Sequence, residues 1–388
     1  MKFRKGYYDF SENVGMNFQL NRFYSLGVLE KEELMAIGRE ATDFDKWIAL
    51  FTAAGEKAAG EGDHLKAANC FRAAQFYTLS GARDSKGHSL KEELYEKCME
   101  HYDAYYGSFQ EIHYVRIPFR SGYLPVYYIK PENPKGVIVL HGGYDSLIQE
   151  FMEFLPYFGE KGYEVYFFEG PGQGEVLMRC HIRMTPEWEH CTSAVLDYFG
   201  LDNVTLIGVS LGGYLAPRAA VYDNRIQRVV MFDLIYDFYG ALTGKMGPKK
   251  AKFFDYMTAH PRNILWKWLG KKLDENYFTK WLLGQGYAIY ENVHTPCEYF
   301  NCIKQYNTRE LSPRLTQDVL VLAGTEDMYT VYYEEQLKAL KNARSVTGRL
   351  FTEEECAGHH CQIGNLKLVL DTIEEWVERV SNGKKSGA

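Results

Sequence analysis

The stretch Leu206-Ile-Gly-Val-Ser-Leu-Gly-Gly213 (LIGVSLGG) decides how this sequence is to be read. An apolar run, Val204–Val209, leads into Ser210, which stands between Gly208 and Gly212, and the helical pattern LAPRAAVY follows. The spacing predicts a strand, a tight turn and a helix. In such an elbow the serine takes a strained backbone conformation, so the residues two before and two after it must be small for its hydroxyl to project. Gly208 and Gly212 meet that need. The turn also sets Ser210 at a helix N-terminus, where the Leu211 amide and the helix dipole are placed to stabilise an oxyanion. On its own, Gly-x-Ser-x-Gly fits a structural turn as well as a nucleophile. The rest of the chain must decide.

Outward from the serine, apolar runs alternate with helical patterns. Upstream lie GVIVLH (136–141), the loop HGGYDS, a helical stretch around 149–161, YEVYFFE (163–169), the turn GPGQGE and a helix from about 186 to 198. Downstream lie RVVMFD (228–233), DVLVLAG (318–324), a helix near 332–341, a strand RLFTEE near 349–354 and a closing amphipathic helix, 366–380. Such alternation implies parallel strands with right-handed crossovers, an α/β sheet. Before it, EIHYVRIPF and YLPVYYIKP flank Ser121-Gly122 and predict an antiparallel pair. Residues 234–313 do not alternate and read as a helical insertion. Insertions there sit over the carboxyl ends of the strands, where ligands bind in such sheets, so this one is a candidate cap.

Residues 1–108 lack strand alternation and are assigned to a helical N-terminal domain ahead of an α/β domain spanning 109–388. An apolar face runs through Phe44, Trp47, Ile48, Phe51 and Ala54; a second helix starts at Asp63 and packs through Ala67, Phe71, Ala74 and Phe76; a third runs from Ser89 to about Tyr105. The small and aromatic residues show no fixed period, so a single helical domain is expected rather than a repeat array.

The 388 residues are 46% apolar, enough for a sizeable core, and the formal net charge of -7 argues against nucleic acid as partner. The start, MKFRKGYYDFSENVG, has no apolar run behind its basic residues, and no stretch approaches a membrane span; a soluble cytoplasmic protein without a membrane partner is expected. Eight cysteines without disulfide-dense spacing fit reduced thiols.

A serine nucleophile needs a base, and the base an orienting carboxylate. Asp327 lies in AGTEDMYT just beyond DVLVLAG, and His360 lies in ECAGHHCQIG beyond the next strand. The order Ser210, Asp327, His360, with each residue at a strand's carboxyl end, is that of an α/β-hydrolase triad. The loop of Gly142, Gly143 and Tyr144 would supply the second oxyanion amide beside that of Leu211. Rival acids are Glu326, Asp233 and Asp237, the rival base is His359, and His141 reads as scaffold for the oxyanion loop. The clusters Cys356, His359, His360, Cys361 and Cys180, His181, His190, Cys191 match no zinc spacing, and GPGQG matches no dinucleotide or P-loop motif, so neither metal nor cofactor is expected. Between residues 241 and 290 nine Lys and Arg stand against three Asp and Glu, a local +6 that reads as a solvated helix face or as steering for an anionic substrate. Trp266, Trp268, Trp281, Tyr277 and Phe278 are candidates for lining an aromatic pocket or for packing the cap.

VLHGG, FFEGPGQGE, GVSLGG, LAGTED and GHHCQIGN, behind a helical domain, together resemble the α/β-hydrolases of the 2,6-dihydroxypseudooxynicotine hydrolase and fermentation-respiration switch esterase type. The resemblance covers nearly the whole chain. It implies Ser210 as nucleophile, Asp327 as acid and His360 as base, a helical domain closing the cleft, and a homodimer. Members cleave esters, carbon-carbon bonds of acyl-aromatic compounds or, in acylaminoacyl-peptidase-like sequences, amides. A serine esterase acting on a small aromatic or anionic substrate is the leading expectation. The others are a carbon-carbon hydrolase, an amidase, and a non-enzymatic binding protein on the same fold.

Overall fold

The computed structural model describes residues 3–79, 87, 89–244 and 246–382. Five helices come first: α1 (Val14–Ser25), α2 (Lys31–Glu40), α3 (Phe44–Gly60), α4 (His64–Tyr77) and α5 (Leu90–Tyr106). Asp43, Asp63 and Ser89 cap the last three by accepting from the amides of Lys46, Lys66 and Glu92, which occupies donors that a helix start leaves open. Periodicity locates those three but not α1, whose buried Asn17, Gln19, Asn21 and Arg22 interrupt its apolar stripe.

Helix α4 is enclosed on all sides, with every residue from Ala67 to Tyr77 buried. Its polar side chains therefore need partners inside the protein. Arg72, wholly buried, pairs with Glu150 at 3.1 Å and donates to the backbone carbonyl of Asp145 at 2.8 Å. Arg22 of α1 meets the other oxygen of Glu150 at 2.5 Å. Two arginines from the leading helices thus clamp one acid of the sheet region. Lys91 of α5 lies beside this group and donates to the carbonyls of Gln75 and Thr78 at 3.3 and 3.2 Å; burial pulls it down to about 8.

Eight strands form one sheet: β1 (His113–Phe119), β2 (Gly122–Ile129), β3 (Gly136–His141), β4 (Tyr163–Phe168), β5 (Val204–Val209), β6 (Ile226–Phe232), β7 (Asp318–Gly324) and β8 (Ser345–Phe351). Their spatial order is β1-β2-β4-β3-β5-β6-β7-β8. Strand β2 runs antiparallel to β1 and β4, and every other neighbouring pair is parallel. Strands β4, β5 and β7 are buried at every position, which accounts for their uninterrupted apolar runs. Strand β8 begins at Ser345, earlier than the sequence reading placed it, because an edge strand with the pattern SVTGRLF is half exposed and carries a weaker apolar signal.

Helices α6 (Phe154–Glu160), α7 (Gly174–Met178), α8 (Glu189–Phe199) and α9 (Gly212–Tyr222) follow the first strands. The helix expected over 149–161 is broken into a short 3-10 turn, Ile148–Phe151, and α6. Between β6 and β7 stand α10 (Phe238–Gly244), α11 (Pro248–Ala259), α12 (Leu265–Glu275), α13 (Tyr277–Ile289) and α14 (Pro296–Ile303); α15 (Tyr333–Ala339) follows β7 and α16 (Leu366–Asn382) follows β8. No helix among the described residues is long and apolar enough to cross a membrane. Because β3, β5, β6, β7 and β8 are parallel, the loops after them open at one end of the sheet.

Replacing Arg72 with Ala leaves Glu150 and Asp145 short of a buried cation. Urea unfolding should report a loss of about 3–5 kcal/mol. Lys57→Ala, which removes the exposed Lys57–Glu61 pair at 3.9 Å, should change stability by no more than about 0.5 kcal/mol.

Candidate active site

Ser210 leaves β5 with φ at 60°, in the left-handed region, and its amide donates to the Phe232 carbonyl at the end of β6 at 2.5 Å. The chain around it is correspondingly close-packed. A Cβ on Gly208 would lie 2.1 Å from the Gly212 carbonyl oxygen, and one on Gly213 only 1.8 Å from that of Asp233. At Gly212 the nearest atom would be 3.3 Å away. The demand for glycine therefore falls harder on 208 and 213 than on 212, a distinction the motif does not reveal.

The Ser210 hydroxyl lies 2.8 Å from His360 Nε2, and His360 Nδ1 lies 2.5 Å from Asp327 Oδ2. Three strand ends contribute: β5 the serine, β7 the acid and β8 the histidine. With Asp327 ionised and His360 neutral, Nδ1 carries the proton and Nε2 faces the hydroxyl as acceptor. Burial disfavours the imidazolium, but the Asp327 carboxylate outweighs it, so His360 is held well above its ordinary 6.5. Burial likewise acts to raise Asp327, and His360 more than reverses that, leaving the acid below 3.8.

The rivals lie elsewhere. Glu326 is exposed. Asp237 accepts the Gly240 amide at 2.8 Å and pairs with Arg309 at 2.8 Å. The His359 ring stacks on Tyr7 at 3.5 Å, and burial lowers its pKa. His141 is buried, bonded through Nδ1 to the Gly142 carbonyl at 2.9 Å, and burial lowers it to about 4. Asp233 is the exception: fully buried, it stands 3.6 Å from His360 Nδ1.

The loop after β3 runs directly against the start of α9: a Cβ on Gly143 would lie 2.5 Å from the Leu211 amide nitrogen. Three outside groups fix that loop. Gln173, in the GPGQG turn, donates to the Gly143 carbonyl at 2.9 Å while accepting from the Gly170 amide at 3.0 Å. The Tyr144 hydroxyl donates to the Leu282 carbonyl of α13 at 3.0 Å. Arg72 holds the Asp145 carbonyl. Nothing local to Gln173 or Arg72 in the sequence marks either residue as part of the site.

Aromatic rings lie beside His360 and beside Tyr144 of the loop after β3. Tyr329 and Phe18 lie 5.5 and 6.4 Å from the His360 ring, and Phe238 and Trp281 each lie 6.1 Å from Tyr144. Of the five cap aromatics singled out by sequence, Trp281 takes part. Trp266 donates to the Met257 carbonyl, whereas Trp268, Tyr277 and Phe278 are exposed. Lys245 lies outside the described residues, and the other eight cap cations are exposed. An open cleft of about 1220 Å³ between Tyr7, Asn17, Arg39, Tyr277 and His359 is lined by none of Ser210, Asp327 and His360.

Among the described residues one group, Asp233, His360 and Cys361, brings metal-ligand atoms within 4.8 Å of one another. A cation there would compete with Asp327 for His360 Nδ1 and need a thiol that burial holds protonated.

The midpoints of the two adjacent histidines should be displaced in opposite directions by NMR, His360 above 6.5 and His359 below it. A raised His360 pKa means that the pair's contribution is full below 6.5 and is lost as pH rises through the folded-state value, while the depressed Asp327 loses its share as pH falls through its own.

Residues 137–367 match the model of the alpha/beta hydrolase family. The hydrolase acrC of Aspergillus aculeatus is 27% identical, with 78% of this chain and 80% of the relative covered. The 20-hydroxy-prefusarin hydrolase FUS2 of Gibberella moniliformis is 26% identical, with 84% of each covered. The crystal structure of 2,6-dihydroxy-pseudo-oxynicotine hydrolase superposes with a TM-score of 0.60 at 18% identity, covering 91% of this chain and 93% of that one. With its sheet order and its serine elbow at the end of β5, the chain belongs to the alpha/beta hydrolase family.

Proposed function

We propose that the protein is a serine hydrolase that cleaves an ester of an apolar, ring-bearing acyl compound. The observation that carries this is the continuous hydrogen-bonded chain from the Ser210 hydroxyl through His360 to Asp327.

In this reading Ser210 Oγ attacks the substrate carbonyl as His360 Nε2 takes its proton. Asp327 stabilises the imidazolium so formed. The carbonyl oxygen gains negative charge and is met by the Leu211 amide and by an amide of Gly143 or Tyr144 across the narrow gap. His360 returns the proton to the leaving alkoxide, and water attacks the acyl-serine by the same route. An ester suits this machinery because an alkoxide leaves with less assistance than an amine or a carbanion. In this reading the rings beside His360 and Tyr144, those of Phe18, Phe238, Trp281 and Tyr329, would receive the apolar substrate body. The relatives' name of hydrolase supports the same class.

The test is hydrolysis of p-nitrophenyl esters of aliphatic and aryl acids. Wild type should turn over the aryl esters, and Ser210→Ala and His360→Ala should each lower kcat by about 10⁴-fold or more. Retention of activity in Ser210→Ala would overturn the reading.

A further inference from the structure

Asp233 lies at the end of β6, on the strand between those that carry Ser210 and Asp327. It has no solvent exposure. Its Oδ2 accepts the Cys361 amide at 2.8 Å and its Oδ1 the Gln362 side-chain amide at 2.8 Å. It therefore grips the two residues that follow His360. The same Oδ2 stands 3.6 Å from His360 Nδ1, the atom that Asp327 engages at 2.5 Å. Two carboxyl groups thus converge on one imidazole nitrogen from adjacent strands.

We propose that Asp233 is a reserve acid and a positioning residue for His360: it holds the histidine loop in place, and it supplies the orienting carboxylate when Asp327 is removed. This rests on His360 being the base of the reaction proposed above. The groups facing Asp233 are Asp327 from the loop after β7 and His360, Cys361 and Gln362 from the loop after β8. Two carboxylates so close in a buried site do not both ionise. Burial, and then the Asp327 charge, push Asp233 well above the ordinary carboxylate range, so its proton stays on and Asp327 carries the charge. Removing the Asp327 charge removes part of that opposition. Asp233 then ionises, and a small side-chain shift brings it onto Nδ1.

The experiment compares Asp233→Asn, Asp327→Asn and the double variant by the pH profile of kcat/KM on a p-nitrophenyl ester. The His360 midpoint is followed by ¹⁵N NMR in the same proteins without substrate. Asp327→Asn should lose about 10- to 100-fold, against the about 10⁴-fold found where a triad has a single carboxylate. Asp233→Asn should lose less than about tenfold, and the double variant should fall about 100-fold below Asp327→Asn. The His360 midpoint should stay above 6.5 in each single variant and drop below it in the double. Equal kcat/KM and equal midpoints in Asp327→Asn and the double variant would overturn the proposal. Should the double variant not fold, a His360 midpoint at or below 6.5 in Asp327→Asn alone overturns it. If no protein hydrolyses any ester, the reaction proposed above fails while the midpoints still decide the role of Asp233.

Discussion

Ser210 is held in a left-handed backbone conformation, and much of the surrounding structure follows from accommodating that one residue. A non-glycine residue in this region costs of order 1–3 kcal/mol and persists only where its neighbours over-determine it. Here they do. The Ser210 amide is tied to the end of β6, α9 starts at once, and Gly213 lets that helix settle against the Asp233 backbone. The same close approach brings the Gly143 loop against the Leu211 amide. Strain at one residue thus fixes the relative places of the hydroxyl, two strand ends and the loop facing them.

The leading helices are part of this arrangement. Helix α4 has no solvent-facing side between Ala67 and Tyr77, and its Arg72 reaches the carbonyl of the residue after Tyr144. Its Phe76 stacks on Trp281 of α13 at 4.9 Å and accepts the Gln285 side-chain amide at 2.7 Å. One helix therefore touches both the loop beside Ser210 and the insertion between β6 and β7. Breaking the Arg72 contacts would leave Glu150 with Arg22 alone and Asp145 without its arginine, a large cost in a low-dielectric setting. The rings beside His360 and Tyr144 have the same composite origin, with Phe18 from α1, Phe238 and Trp281 from the insertion and Tyr329 from the loop after β7.

Sheet and elbow were legible in the sequence because their signal is local. GVIVLH and DVLVLAG coincide with β3 and β7, since strands buried on both faces are written as unbroken apolar runs. Strand β8 was displaced because an edge strand lacks that signature. The positions of Asp327 and His360 just after strands made them readable as candidates, and the structure puts them in one hydrogen-bonded chain with Ser210. Illegible were the residues whose partners are distant in sequence. Arg72 and Asp145 are 73 positions apart, and Asp233 and Cys361 are 128 apart. Asp233 entered only as a competitor for the role of Asp327, because chain order cannot show two acids sharing one imidazole. Composition could not sort the five cap aromatics for a related reason: only the packing of α13 against α4 separates Trp281 from the exposed Trp268.

The central claim is that Ser210 is an activated nucleophile, and its reaction with a fluorophosphonate tests that most directly. An ordinary serine hydroxyl is inert to the reagent, whereas one whose proton His360 can accept is not. Peptide mass spectrometry should find one adduct per chain, on Ser210, formed faster as pH rises through the His360 midpoint. Absence of an adduct, or labelling of another serine with Ser210 untouched, would contradict it.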